Sequence, residues 1–184
     1  FLGSDVHGIL GYELFSRFIV KIDYDRKVLT LMKPDRFKPN KRHTWLPITV
    51  EDTKPYIIVG LQMNDTTSLS AKLLVDSGAS HGLFLESSSS PKINVPEKHV
   101  ASIIGRGLGG GITGQIGRIK SLEIGNYSIK DVIANFPDPN AYIDTIKTSR
   151  SVFRNGSLGG EMLSRFNVIF NFPGERLYLK KNSS

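Results

Sequence analysis

The stretch that decides the fold runs from Leu73 to Ser80 and reads Leu-Leu-Val-Asp-Ser-Gly-Ala-Ser. Its first three residues are apolar, as in a strand that is buried within a sheet. Asp76, Ser77 and Gly78 follow at once, and these residue types form turns. We therefore expect Asp76 to leave the core where backbone N–H groups of the turn can hold its carboxylate.

The whole chain has the composition of a globular, turn-rich protein. Its 184 residues include 18 glycines and 9 prolines, which favours β structure over a helical bundle. The absence of cysteine excludes disulfides, thiolate metal sites and cysteine nucleophiles. No apolar run approaches the length of a membrane span. The four histidines lack the spacing of metal ligands, so we predict surface histidines, no metal site and no cofactor.

A net charge of +7 raises the question of nucleic acid, and the densest basic run lies between Lys33 and Arg42. Prolines and an asparagine interrupt these charges, as in a solvated connector. No RNA-binding or helix-turn-helix signature accompanies the run. We predict a basic linker and no nucleic-acid partner.

An internal repeat divides the chain. The segment from Gly8 to Val20 recurs 148 residues later, from Gly156 to Val168, and the similarity continues without a gap. Each copy reads as a glycine-rich turn, a short helix, a strand, a turn and a final strand. The sequence therefore contains two copies of one supersecondary unit.

A glycine-rich segment lies between the Asp76 stretch and the second copy. Six glycines fall between Gly105 and Gln115, and three of them match the dinucleotide-binding fingerprint. That fingerprint must open a helix, whereas the residues from Ile112 to Ile124 alternate like a strand. We predict a mobile hairpin, because glycine removes the side chains that would stiffen it. Whether its tip contacts a ligand stays open.

The Asp76 stretch resembles the Asp-Thr/Ser-Gly signature of aspartic peptidases of the retroviral and pepsin types. The repeated element, with Leu158 and Gly159 before a short helix, resembles the segment that closes a lobe in these enzymes. The sequence of residues 8–31 is similar to those of bacterial two-lobed, retropepsin-like peptidases. The resemblance implies an all-β lobe, a closed barrel of the acid-protease type, with short helices near 160–165 and 12–16.

The resemblance also implies a division into domains. Residues 1–34 would be the C-terminal tail of a preceding lobe whose own aspartate lies upstream. Residues 35–50 would be the basic linker, and residues 51–184 the lobe that carries Asp76. Some members of this family have a PDZ domain after the second lobe. The resemblance alone suggests a periplasmic or secreted location.

The chemistry implied is hydrolysis of a peptide bond by water held between two aspartates. Asp76 would be one of them, Ser77 would brace the loop through its hydroxyl, and Gly78 would let the two lobes approach. Ala79 stands where retroviral enzymes commonly have alanine and pepsin-like enzymes a hydroxyl. The glycine-rich hairpin would form the flap over the peptide, with candidates Gly107, Leu108, Gly109, Gly110, Gly111 and Ile112.

The second aspartate has to come from the missing first lobe or from a second copy of the chain. Two carboxylates about 3 Å apart share one proton, and a single aspartate has no partner with which to share it. We therefore predict that the chain alone hydrolyses no peptide. The alternative is a non-catalytic peptide-binding or assembly module that keeps the fold.

Overall fold

The computed structural model describes residues 8–107, 110–139 and 152–182. Within these residues the chain forms thirteen strands, two short α-helices and two single 3₁₀ turns. The elements in chain order are α1 Tyr12–Phe15, β1 Ile19–Asp23, β2 Val28–Met32, a 3₁₀ turn at Pro34–Arg36, β3 Thr44–Pro47, β4 Thr49–Glu51, β5 Lys54–Gln62, β6 Ser68–Asp76, β7 Leu83–Leu85, a 3₁₀ turn at Ser87–Ser89, β8 His99–Gly107, β9 Gly110–Ile124, β10 Tyr127–Pro137, β11 Gly156–Gly159, α2 Gly160–Leu163, β12 Phe166–Asn171 and β13 Arg176–Lys181. The predicted all-β lobe with short helices is confirmed.

The larger sheet closes into a barrel. Its eight strands follow the order β4-β5-β6-β11-β7-β10-β9-β8, and β5 also pairs with β9. This extra pairing sets Leu61 opposite Leu122, so that six of the strands form a ring. Closure removes sheet edges that would otherwise be exposed. The strand that ends at Asp76, β6, is therefore one of the six strands of the closed ring.

Alternation along β6 explains how the barrel is filled. Ala71, Leu73 and Val75 are buried, while the residues between them are half-buried. Successive side chains of a strand point to opposite faces, so one face of β6 lines the core. Phe136 of β10 and Leu122 of β9 belong to the same core and are also fully buried.

The smaller sheet joins the two copies of the repeat. Its order is β2-β1-β12-β13-β3, so the first copy pairs directly with the second. Both hairpins use the same register, because Val20 faces Leu31 in the first copy and Val168 faces Leu179 in the second. The two helices also occupy equivalent positions. The repeat in the sequence is thus a repeat in structure.

The predicted linker of residues 35–50 is partly structured. β3 pairs with β13, and β4 begins the larger sheet at Thr49. The charges of the basic run are exposed, as predicted, but Phe37 packs edge-on against Tyr178 with ring centroids 5.5 Å apart. The prediction of a solvated connector is therefore wrong at Phe37, which an aromatic contact anchors to the sheet. None of the helices in the described part of the chain is long and apolar enough to cross a membrane.

Candidate active site

Asp76 is the last residue of β6, beside the strand that begins the second repeat. β11 runs parallel to β6 and places Leu158 opposite Val75 and Gly159 opposite Asp76. The Gly78 N–H donates a hydrogen bond to Asp76 Oδ1 at 3.1 Å. The Ala79 N–H donates to the Asp76 carbonyl at 3.3 Å. The Asp-Ser-Gly-Ala sequence therefore forms a turn that holds the Asp76 carboxylate.

The lobe-closing motif packs directly on this turn. The Gly160 N–H donates to the Ala79 carbonyl at 2.7 Å, and the Gly159 N–H donates to the Gly82 carbonyl at 2.9 Å. A Cβ on Gly159 would lie 2.0 Å from the His81 carbonyl oxygen, so only glycine fits there. The structure thus brings Asp76, Ala79 and Gly159 together, and Leu158 is buried beneath them.

The Asp76 turn forms one wall of a cavity of about 780 Å³. The opposite wall belongs to the first copy of the repeat, from Gly8 to Tyr12, with Phe15. The remaining described residues of the lining are Thr53, Pro55, Val75, Phe170 and Phe172. Phe15 packs edge-on against Phe170, with ring centroids 5.3 Å apart, which fixes the first copy beside the lobe. The candidate site therefore lies between the two copies.

The predicted flap corresponds to the hairpin of β8 and β9. Gly107 pairs with Gly110 at its tip, and Leu108 and Gly109 lie outside the described residues. Gly111 and Ile112 belong to β9. The described residues that line the cavity include none from this hairpin. A flap role for it stays a prediction.

His81 is more than the surface histidine that the sequence predicted. Its Nε2 lies 2.8 Å from Ser157 Oγ, and its ring packs against Phe84 with centroids 5.2 Å apart. Burial lowers the pKa of His81, although the carboxylates of Asp76 and Glu161 partly oppose that change. His81 therefore links the segment after Asp76 to β11 through Ser157.

Thr53 is a cavity residue that sequence reasoning missed. It lies in the tight turn between β4 and β5, where both Asp52 and Thr53 have positive φ, at 47° and 64°. A β-branched residue rarely adopts this conformation. The short Glu51-Asp52-Thr53-Lys54 connection could have indicated a hairpin, but nothing in it indicates that the hairpin reaches Asp76.

The described residues contain no group of three or more histidine, aspartate or glutamate side chains that could hold a metal ion. A model of the aspartyl protease family matches residues 59–162. This chain belongs to the aspartyl protease family. A similar solved structure is that of a retropepsin-like aspartic protease from Rickettsia conorii, 17% identical, with a TM-score of 0.45, covering 74% of this chain and 89% of that chain. A search of curated proteins found no match.

The aspartyl protease match begins in β5 and ends in α2. It therefore contains the Asp76 turn, the β8–β9 hairpin and the motif at Leu158 and Gly159. It does not extend to the first copy of the repeat, which forms the opposite wall of the cavity.

Proposed function

We propose that this chain is part of an aspartic endopeptidase and supplies Asp76 as one of its two catalytic carboxylates. The single observation that carries the proposal is the Asp76 carboxylate, held by the Gly78 N–H at the wall of a cavity of about 780 Å³. Membership of the aspartyl protease family supports the reaction class. The substrate class is then a peptide or protein.

The repeat supports a position for the second carboxylate. In the second copy, Gly159 lies opposite Asp76 in parallel register. Gly11 is the equivalent residue of the first copy, and it lines the same cavity as Asp76. An aspartate placed opposite Gly11 in parallel register, as Asp76 is placed opposite Gly159, would face Asp76 across this cavity. Asp76 is the only carboxylate among the described lining residues, which supports a second one supplied by the missing first lobe or by a second copy of the chain.

The proposed mechanism uses the shared proton of such a pair. Two close carboxylates cannot both ionise, so the charged member accepts a proton from water while the neutral member donates one to the carbonyl oxygen. Water then attacks the carbonyl carbon of the peptide bond. Ser77 and Gly78 hold the turn so that the carboxylate keeps its position. The step needs no covalent intermediate.

The test is hydrolysis of a peptide library by the two-lobed protein, with Asp76→Asn as the variant. The amide keeps the shape of the side chain and cannot share a proton, so we expect hydrolysis to be abolished while the thermal unfolding midpoint stays the same. Asp65→Asn is the matched control, because Asp65 is an exposed turn residue on the barrel that does not line the cavity.

We also expect the 184-residue chain alone to show no hydrolysis. Hydrolysis that persists in Asp76→Asn would overturn the assignment. Peptide binding without hydrolysis by the two-lobed protein would instead favour the non-catalytic module.

A further inference from the structure

We infer that His81 is a positioning residue for the proposed hydrolysis: its neutral side chain holds the Asp76 turn against β11 through Ser157, and uptake of a proton weakens that hold. The inference deepens the proposed function, on which it rests for the role of Asp76. It gives the candidate site a pH dependence that a pair of carboxylates alone would not have.

The backbone that follows the Asp76 turn is attached to the end of β11 and the start of α2. The Glu161 N–H donates to the His81 carbonyl at 3.3 Å, next to the bonds that Gly159 and Gly160 donate to the same segment. A Cβ on Gly159 would also lie 2.8 Å from Cδ2 of the His81 ring. The ring therefore lies directly against the strand residue that pairs with Asp76.

The His81 side chain contacts β11 a second time, two residues earlier. Its Nε2 lies 2.8 Å from Oγ of Ser157, a residue that is 8% exposed. Ser157 lies between Leu74 of β6 and Phe84 of β7. Among the described residues, His81 is the one hydrogen-bond partner of the Ser157 hydroxyl. The imidazole therefore joins the segment after Asp76 to the strand that lies beside Asp76.

The contact between His81 and Ser157 depends on the protonation state of the imidazole. A neutral imidazole has one ring nitrogen that accepts a hydrogen bond, whereas an imidazolium has two donors and no acceptor. Neutral His81 can accept the Ser157 hydroxyl proton at Nε2, and the imidazolium cannot. Because Ser157 is buried, its hydroxyl would then be a donor without this acceptor, which is unfavourable. Protonation of His81 therefore weakens the attachment of the Asp76 turn to β11.

Three charged groups on different elements face the imidazole. The carboxylates of Asp76, at the end of β6, and Glu161, in α2, raise the pKa of His81, and Arg154, just before β11, lowers it. Burial lowers this pKa more than the carboxylates raise it, so the pKa lies below the usual 6.5. The imidazole of the folded protein therefore takes up its proton on the acidic side of neutrality.

The pH dependence of hydrolysis by the two-lobed protein tests the inference. In the wild type, kcat/KM should fall as His81 takes up its proton, below about pH 6.5. Gln at position 81 does not titrate and can still hydrogen-bond Ser157, so the acid limb of His81→Gln should move to lower pH. His81→Ala should lower kcat roughly 10- to 100-fold at every pH, with KM little changed. An acid limb that stays in place in His81→Gln would overturn the inference.

NMR titration of the 184-residue chain tests the same link without activity. Asp76→Asn removes the titrating group at position 76, so any change at the Gly78 amide in this variant reports on other groups. We expect the Gly78 amide resonance to shift with the titration of the His81 ring, because Gly78 donates to the side chain at position 76. Adding Ser157→Ala should remove most of that shift. A Gly78 response that is equal with and without Ser157 would overturn the inference.

The pKa of His81 itself provides a matched comparison. Asp76→Asn should lower it, because the Asp76 carboxylate raises it in the wild type. Asp65→Asn is the control and should leave it unchanged, because Asp65 lies in the exposed turn between β5 and β6. Equal His81 pKa values in the wild type and in both variants would show that the ring does not sense the carboxylate, and would overturn the inference.

The two experiments separate this inference from the proposed function. Hydrolysis that needs Asp76 but keeps the same acid limb in His81→Gln would overturn the positioning role and keep the proposed function. A Gly78 response that depends on Ser157, without hydrolysis by the two-lobed protein, would support the link between His81 and the turn and overturn the proposed function.

Discussion

Asn155 gives the sharpest test of how the candidate site is held in place. Its side chain is 6% exposed and lies just before β11. The Lys72 N–H donates to Asn155 Oδ1 at 2.9 Å, and Asn155 Nδ2 donates to Ser89 Oγ at 3.1 Å. Its backbone N–H also donates to the Lys72 carbonyl at 2.8 Å. Asn155 thus fixes the start of β11 against β6, four residues before Gly159 pairs with Asp76.

We expect Asn155→Ala to destabilise the chain by about 2–4 kcal/mol. The Lys72 N–H would lose its partner, which costs about 1–3 kcal/mol for a buried donor, and the bond to Ser89 contributes about 0.5–1.5 kcal/mol more. For a protein of this size, each kcal/mol lowers the unfolding midpoint by about 2–4 °C. The expected loss is therefore roughly 5–15 °C.

The assay is urea unfolding followed by circular dichroism, with thermal unfolding as a second measurement. Asn126→Ala is the matched control, because Asn126 lies in the exposed turn between β9 and β10. Its effect should stay within about 0.5 kcal/mol. An Asn155→Ala loss below about 1 kcal/mol, or one equal to that of the control, would show that Asn155 does not hold β11 in register.

Three further predictions concern the same region. Gly156→Ala should destabilise the chain by more than about 4 kcal/mol in urea unfolding, because the added Cβ would lie 1.9 Å from the Phe84 carbonyl oxygen. Gly8→Ala is the control and should be neutral, because its Cβ would meet no atom within 4 Å. Thr53→Gly should stabilise the chain by roughly 0.5–2 kcal/mol in the same assay, because glycine adopts the positive φ of this position without the backbone strain of a β-branched residue. Burial lowers the pKa of His81, so its contribution to stability should fall as pH drops through the usual value near 6.5, and His81→Gln should flatten that part of the pH–stability curve. An unchanged curve would exclude His81 as its source.

The local features of the fold could be predicted because neighbouring residues determine them. The apolar residues before Asp76 predicted a buried strand that ends in a turn, and the turn does hold the carboxylate. The repeat predicted both short helices, which begin at Tyr12 and Gly160. In each case the signal lies within a dozen residues of sequence.

The contacts that depend on distant segments could not be predicted in this way. His81 is half-buried because Ser157 and Phe84 lie beside it, and Ser157 is 76 residues away along the chain. Phe37 is anchored by Tyr178, which belongs to the other end of the sequence. The closure of the barrel by β5 and β9 likewise has no signature in either strand alone. From the sequence alone, Phe37 was part of the basic run and His81 was a surface histidine.

The repeat carries information that neither the motif nor the exposed apolar surface carries alone. Scattered exposed leucines are normal on a protein surface, so the exposure of Leu10 or Leu29 would by itself indicate nothing. Their equivalents in the second copy, Leu158 and Leu177, are fully buried. β11 lies between β6 and β7 in the larger sheet, whereas residues 8–11 form no strand, so equivalent residues of the repeat are buried or exposed according to their neighbours.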